Sequence, residues 1–255
     1  MRTAKTIFGL IITFWGAFQI SLVAQDKLEC PLVRKGEIII RHTGHTLSYN
    51  PETMLPDWVA YELRAEEMEG DAVRRPFFSP DPDPQLQGYE LAQHYDYTYS
   101  GWVRGHMIPA GDVKYNQDAM NDSFYTTNVC PMNMRFNNSI WKRLEEVCRR
   151  WAREYDHIYI VTGPIVGENR NGKVGESNIV VPDAFFKAVL IPYRTSYLSV
   201  GFQMDNTEET KGRLRDFTCS VEDIETVTGL TLFPFLIDWS DSVKRQIPLK
   251  ELGLY

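Results

Sequence analysis

The sequence predicts a single α+β domain. Three observations carry that reading: short runs of β-branched and aromatic residues set off by Gly, Pro and Asn, a segment in which apolar residues recur every three or four positions, and the absence of any internal repeat, linker or low-complexity tract. With 255 residues, 43% of them hydrophobic and 13% aromatic, the chain can bury one large core and is short for two.

At the N-terminus Arg2 and Lys5 precede the apolar stretch from Ile7 to Val23, and polar residues follow Ala24. This is the arrangement of a secretory signal peptide over residues 1–24, leaving 25–255 as the domain; an uncleaved membrane anchor is the alternative, because the stretch is nearly long enough to span a bilayer. Export to a periplasmic or extracellular compartment follows. There Cys30, Cys130, Cys148 and Cys219 are expected to form disulfide bonds, and among the three pairings Cys130 with Cys148 and Cys30 with Cys219 is favoured, the first two being close along the chain. No C-x-x-C spacing supports a zinc ribbon or a thioredoxin-like site.

Ile38 to Ile40 and then His42 to Asn50 read as an edge strand and a turn, and Pro56 to Arg64 as a strand carrying Trp58, Val59, Tyr61 and Leu63. Arg74 to Pro84 holds four prolines and is loop. Phe124 to Val129 reads as a strand ending at Cys130 and Pro131. A helix follows, with Ile140, Trp141, Leu144, Val147, Cys148 and Trp151 at helical spacing and Asn137, Asn138 or Ser139 as caps. Asn138, Lys142, Glu145 and Arg149 form a polar stripe on another side of it. His157 to Thr162, Ile179 to Val181, Phe185 to Ile191 and Leu198 to Met204 are strands of a central sheet; Thr207 to Phe217 and Val221 to Thr228 are helices, the second closing at Gly229.

The charge balance is acidic, 27 Lys and Arg against 34 Asp and Glu for a net −7, and loss of residues 1–24 takes it to −9. That is the wrong overall sign for a nucleic-acid binder, whose affinity comes largely from neutralised phosphates. Locally the sign reverses, since Lys142 to Arg153 carries five cations against Glu145, Glu146 and no other acid before Glu154.

The segment most informative about chemistry is Ser100-Gly101-Trp102-Val103-Arg104-Gly105-His106-Met107. A histidine is the natural general base for water at neutral pH. Phosphodiester hydrolysis also needs positive charge beside the non-bridging oxygens, which Arg104 and Arg149 can supply, and a Lewis acid, which Asn137 with waters can hold as Mg²⁺. Taken singly, each residue reads more plainly as structural: a histidine next to glycine, asparagines before a helix. His42-x-x-His45 lacks further ligands at metal spacing, Gly167 to Gly175 lacks a phosphate-loop ending, and the aromatic residues of 89–102 read as core and sheet surface more than as a base-stacking platform.

The motifs V-R-G-H-M, T-N-V-C-P and F-N-N-S-I-W-K-R-L-E, in that order, resemble the signature region of the DNA/RNA non-specific endonucleases, whose pattern is D-R-G-H, S-N-x-x-P and F-N-x-x-x-W-x-x-L-E. The likeness extends from about residue 38 to 237 through Pro56 to Tyr61, Arg74 to Pro82, Val161 to Pro164, Pro182 to Leu190 and Thr228 to Leu230. It implies the ββα-metal (His-Me finger) fold, a mainly antiparallel central sheet with helices packed on it. It also implies Mg²⁺-dependent cleavage of DNA and RNA with no small-molecule cofactor, Mn²⁺ able to substitute, and contacts made mostly to the phosphate backbone. By the same resemblance His106 is the general base, Asn137 the metal ligand, Glu145 the acid that orients a water of the metal and Asn128 a supporting amide; Arg149 and Arg74 contact phosphate, and Arg104 is partly structural. One position departs from the pattern: Val103 stands where the family usually has an acid, and Asp96 and Asp112 are the acids nearest in sequence. Loss of such a carboxylate implies activity or metal affinity lower by about 10–100-fold. It also raises the competing reading, a catalytically weak relative that binds nucleic acid or a protein partner.

Overall fold

The computed structural model describes residues 27–168, 170–236 and 241–254; the expected signal segment, residues 1–24, lies outside them. Eleven strands are formed among these residues: β1 Ile38–Arg41, β2 Thr46–Asn50, β3 Leu55–Arg64, β4 Val103–His106, β5 Val129–Met132, β6 His157–Ile165, β7 Lys173–Val174, β8 Ile179–Val180, β9 Ala184–Tyr193, β10 Ser196–Asp205 and β11 Thr218–Cys219. The helices are α1 Gln117–Asp122, α2 Met134–Phe136, α3 Lys142–Tyr155, α4 Val221–Thr228 and α5 Asp241–Arg245, with a π turn, Asn137–Trp141, joining α2 to α3.

Seven strands make one sheet in the order β1-β2-β3-β6-β9-β10-β11, every neighbouring pair antiparallel. The central strands are buried on both faces, which is why the run Phe185 to Ile191 is almost wholly apolar. Alternation divides it: Phe185, Val189 and Ile191 join the larger core on the side of α3, while Phe186, Ala188 and Leu190 join a second core with Trp58, Val221, Ile224 and Phe233. α3 buries Leu144, Cys148, Trp151 and Ala152 on the first face, and α4 seals the second. α4 starts at Ser220, whose Oγ accepts from Asp223 N at 3.1 Å, and stops at Gly229 with φ +69°.

The site is built on a separate small unit. β4 pairs antiparallel with β5 in the register Val103↔Met132 to His106↔Val129, and β5 runs directly into α2, so the order is strand, strand, helix.

Four expectations need correction. Phe124 to Val129 is not one strand: Thr126–Asn128 is a 3-10 turn, closed by Asn128 N on Tyr125 O, and the strand is Val129–Met132. The helix cap is Asn133, whose Oδ1 accepts from Arg135 N at 2.9 Å and Phe136 N at 3.2 Å, so the helical path begins before Asn137. Thr207 to Phe217 is helical only in its 3-10 end, Leu214–Phe217; Thr210 Oγ1 donates to Asp205 O, and Gly212 takes φ +140°. The cysteines are all free thiols. Burial pushes the Cys30 thiol up to about 11 and those of Cys148 and Cys219 up to about 12, so they behave as small apolar side chains.

Candidate active site

His106 is the last residue of β4, delivered by a strand whose preceding glycine is required by contact. A Cβ on Gly105 would lie 2.1 Å from Met132 Sδ on the paired strand. The imidazole packs between Phe78, centroid to centroid 5.0 Å, and the edge of Phe124 at 5.1 Å. Its Nε2 is enclosed and has no hydrogen-bond partner among the described residues. Burial, and then the positive charge of Arg74, pull the imidazole down from 6.5 to about 3. At neutral pH the ring is therefore uncharged, with a nitrogen that nothing in the protein has claimed.

Arg74 is exposed on the proline-rich loop and makes no ion pair among the described residues, leaving its guanidinium available to an anion beside His106. Arg104 has a different setting. Its Nη2 donates to the His94 carbonyl and its guanidinium lies 5.2 Å from the Tyr97 ring centroid, so its contacts are to the protein.

Asn128 is completely buried and clamps the chain just after His106. Its Oδ1 accepts from Ile108 N at 3.0 Å, its Nδ2 donates to Ile108 O at 3.1 Å and Ser123 O at 2.8 Å, and its own carbonyl accepts from Met107 N at 2.9 Å. A buried amide with every polar atom satisfied fixes a backbone more tightly than an apolar residue can.

The loop then reaches α3. Arg149 Nη1 donates to Asp112 Oδ1 at 2.7 Å, and Tyr61 on β3 donates to Asp112 Oδ2 at 3.3 Å. The arginine is thus held by a buried carboxylate, and 18% of its side chain is exposed. Glu145, one turn earlier on α3, is half-buried with no hydrogen bond among the described residues. Burial and then the Asp112 charge push its carboxyl up to about 7, against the pull of Lys187 and Arg149. Asn137 opens the π turn, half-buried, with its side-chain amide making no hydrogen bond among the described residues. π turns often accompany functional positions because they displace a side chain from the regular helical path.

Neither acid near the motif takes the place of the residue missing at Val103. Asp112 is engaged by Arg149 and Tyr61, and Asp96 accepts from Gln93 N in its own loop and from Ser177 N between β7 and β8. The sequence reading did not single out Phe78, Phe124, Tyr61 or Lys187, all of which line or support this region. Only Lys187 left a signal, as a lone cation in an apolar run. His42 and His45 do not form a metal cluster: His42 Nε2 is 2.9 Å from Asp81 Oδ2, His45 is buried beside it, and no group of three or more His, Cys, Asp or Glu suited to a metal occurs among the described residues.

A family model described as DNA/RNA non-specific endonuclease matches residues 29–236. The mouse mitochondrial nuclease EXOG is 34% identical over 210 residues, covering 77% of this chain and 57% of its own length. Nuclease C1 of Cunninghamella echinulata var. echinulata is 34% identical over 209 residues, covering 76% and 82%. Human mitochondrial endonuclease G is 30% identical over 212 residues, covering 79% and 71%. A chain in the crystal structure of an EndoG/EndoGI complex superposes with a TM-score of 0.68 at 27% identity, over 78% of this chain and 86% of that one. This supports the ββα assignment of the strand, strand, helix unit. The chain spans 57% and 58% of the lengths of the mouse and human EXOG relatives. The expectation of export to a periplasmic or extracellular compartment is overturned, because EXOG of mouse and human, human endonuclease G and nuclease 1 of fission yeast are named as mitochondrial nucleases.

Proposed function

The chain belongs to the DNA/RNA non-specific endonuclease family, and from that premise we propose that it is a metal-dependent nuclease hydrolysing phosphodiester bonds of DNA and RNA, with His106 as the general base. The observation that carries this reading is the state of His106: uncharged at neutral pH, held by two aromatic rings and the Asn128 clamp, with an unclaimed Nε2. A neutral imidazole takes the proton of an attacking water, and the resulting imidazolium is stabilised by the phosphate charge it faces. Arg74 binds a non-bridging phosphate oxygen, since it is the exposed cation whose field reaches the imidazole. Arg149, tied to Asp112, contributes positive charge from a fixed position.

The donor chemistry fits a hydrated hard cation. Asn137 offers an unengaged amide oxygen and Glu145 an unengaged carboxylate on the same helical path, whereas the Cys148 thiol of that helix is buried and pushed up to about 12. Asn137 would hold the ion, and Glu145 would orient one of its waters. Mg²⁺ held there, or Mn²⁺ in its place, would supply Lewis-acid stabilisation of the leaving oxygen. Sequence tolerance follows from contacts made to phosphate and sugar.

The test is digestion of plasmid DNA and of RNA in Mg²⁺, with and without chelator. Metal-dependent cleavage that disappears in His106→Ala supports the nuclease; retained nucleic-acid binding with no cleavage, unaltered by His106→Ala, gives the binding reading instead, to which the apolar Val103 lends its weight.

A further inference from the structure

Two features that stand out in the sequence, His42-x-x-His45 and the proline-rich loop from Arg74 to Pro84, meet at one buried carboxylate. Asp81 is 4% exposed. Its Oδ2 accepts from Thr127 Oγ1 at 2.5 Å and lies 2.9 Å from His42 Nε2, and its Oδ1 accepts from Asp83 N at 3.0 Å. The hydroxyl contact has the length of a charge-assisted bond to an ionised carboxylate. Such a carboxylate only accepts, which assigns a proton to Nε2 of His42. His42 comes from the turn between β1 and β2, and Thr127 from the 3-10 turn before β5. On its other side the imidazole faces Asp122, with Nδ1 3.9 Å from an Oδ2 that accepts from Thr43 N at 3.0 Å.

Both segments tied to Asp81 lead to His106. Three residues before it, Phe78 packs 5.0 Å from the His106 ring and 5.0 Å from Phe124. Between them Ser79 N donates to Phe124 O at 3.2 Å and Ser79 O accepts from Thr126 N at 2.9 Å, so loop and turn run side by side as far as Thr126. The Asp81 to Thr127 bond fastens the next step. One residue further on is Asn128, the amide that clamps Ile108 two positions after His106. A single carboxylate therefore joins the loop that supplies Phe78 to the turn that supplies Asn128.

We propose that Asp81 is a positioning residue for the reaction: bonded to Thr127 and His42, it holds the Phe78 ring and the Asn128 turn against His106 and so fixes where the unclaimed Nε2 points. This rests on the nuclease reading, in which that nitrogen takes the proton of water. The chemistry of the position requires an acid, because all three partners donate and an amide must itself donate from one end. A loop that needed only to be covered would be held as well by an apolar side chain, without the cost of burying a charge.

The experiment compares Thr127→Val, which keeps the side-chain shape and removes the donor, with Thr127→Ser, which keeps the hydroxyl, and with Asp81→Ala. All are first shown to be folded by circular dichroism, and Ile224→Ala, in the second core, controls for lost stability alone. The first measurement needs neither turnover nor metal. In histidine-labelled protein the His106 Cε1–H resonance, assigned by its loss in His106→Asn, lies in the ring currents of Phe78 and Phe124. It moves toward the position of an exposed histidine in Thr127→Val and Asp81→Ala, and stays in place in Thr127→Ser and Ile224→Ala. The second measurement is turnover: kcat falls by about 10–100-fold in Thr127→Val and Asp81→Ala, the size expected when a reacting group is misplaced by about 1 Å. In Thr127→Ser and Ile224→Ala kcat stays within about 2-fold of wild type, and adding Thr127→Val to Asp81→Ala costs no more than about 2-fold, since the bond is already gone. An unmoved His106 resonance, the same movement in Ile224→Ala, or full kcat despite a moved resonance overturns the proposal. If Asp81→Ala does not fold, the two Thr127 variants decide alone. If the wild-type protein cleaves nothing, the nuclease reading fails while the resonance still decides whether Asp81 governs His106.

Discussion

The sharpest quantitative consequence concerns His106 and acid stability. Its folded-state value of about 3 lies below the 6.5 of an unperturbed histidine, so the fold favours the uncharged ring. Above 6.5 both folded and unfolded chains carry the neutral form and the residue is silent. As pH falls through 6.5 the unfolded chain binds a proton that the folded one refuses, so stability is lost progressively until about 3. Applying linkage between those two values gives a loss of about 2 kcal/mol at about pH 5 relative to about pH 7.5. His106→Asn removes the titrating group and should abolish that share of the slope, whatever pH-independent cost the substitution carries. Urea denaturation of both proteins at the two pH values measures the difference directly. His45 is also buried with its ring pushed down, chiefly by burial, but it contributes equally to both proteins and cancels. If the pH-induced change in stability differs between wild type and variant by less than about 0.5 kcal/mol, within ordinary additivity error, His106 is not held neutral by the fold and the argument for its readiness as a base fails.

Three further outcomes follow. Gly105→Ala drives a Cβ to within 2.1 Å of Met132 Sδ and 2.4 Å of its Cγ, and should cost about 1–3 kcal/mol in urea denaturation; a neutral result means that Met132 swings clear. Asn128→Ala leaves the Ile108 N–H, the Ile108 carbonyl and the Ser123 carbonyl without partners, for a loss of about 3 kcal/mol or more, and Asn128→Asp should not restore stability because a carboxylate cannot donate to those carbonyls. Val103→Asp introduces the acid that the motif resemblance implies at this position, and should raise cleavage or tighten Mg²⁺ binding in calorimetric titration; no change in either means the role is filled elsewhere.

Much of the architecture was written in local patterns. The β-branched and aromatic runs of β3 and β9, the buried positions Leu144, Cys148 and Trp151 of α3 and the Val221–Thr228 span of α4 with its Gly229 stop all depend on neighbours in sequence, and all were legible. Errors came where a side chain bound the backbone and overrode propensity. Phe124 to Val129 has the composition of a strand, yet the Asn128 amide is needed by Ile108 and Ser123, and the backbone turns to deliver it. Thr210 captures the Asp205 carbonyl and breaks what reads as a helix. At the site, His106 could be proposed from residue type and motif, but its environment is assembled from Phe78, Phe124 and Arg74, distant along the chain. The expected disulfides rested on the export reading of residues 1–24, and the four thiols are free.

The π turn at Asn137–Trp141 bears on how this helix can vary. In a regular α-helix each residue advances by about 100°, so Asn137 and Glu145, eight apart, would point about 80° away from each other. Asn138 would then fall in line with Glu145, which is the stripe that simple periodicity selects. Wider turns absorb one additional residue, rotate the earlier amide into phase and leave Asn138 facing solvent while Asn137 turns partly inward. Register here is therefore a matter of residue count as well as residue identity. A one-residue deletion inside this stretch that restores a regular helix leaves Asn137 and the carboxylate seven positions apart and about 20° from alignment, whereas a one-residue insertion swings the amide away by roughly a quarter turn, an indel phenotype that no survey of point substitutions would reveal.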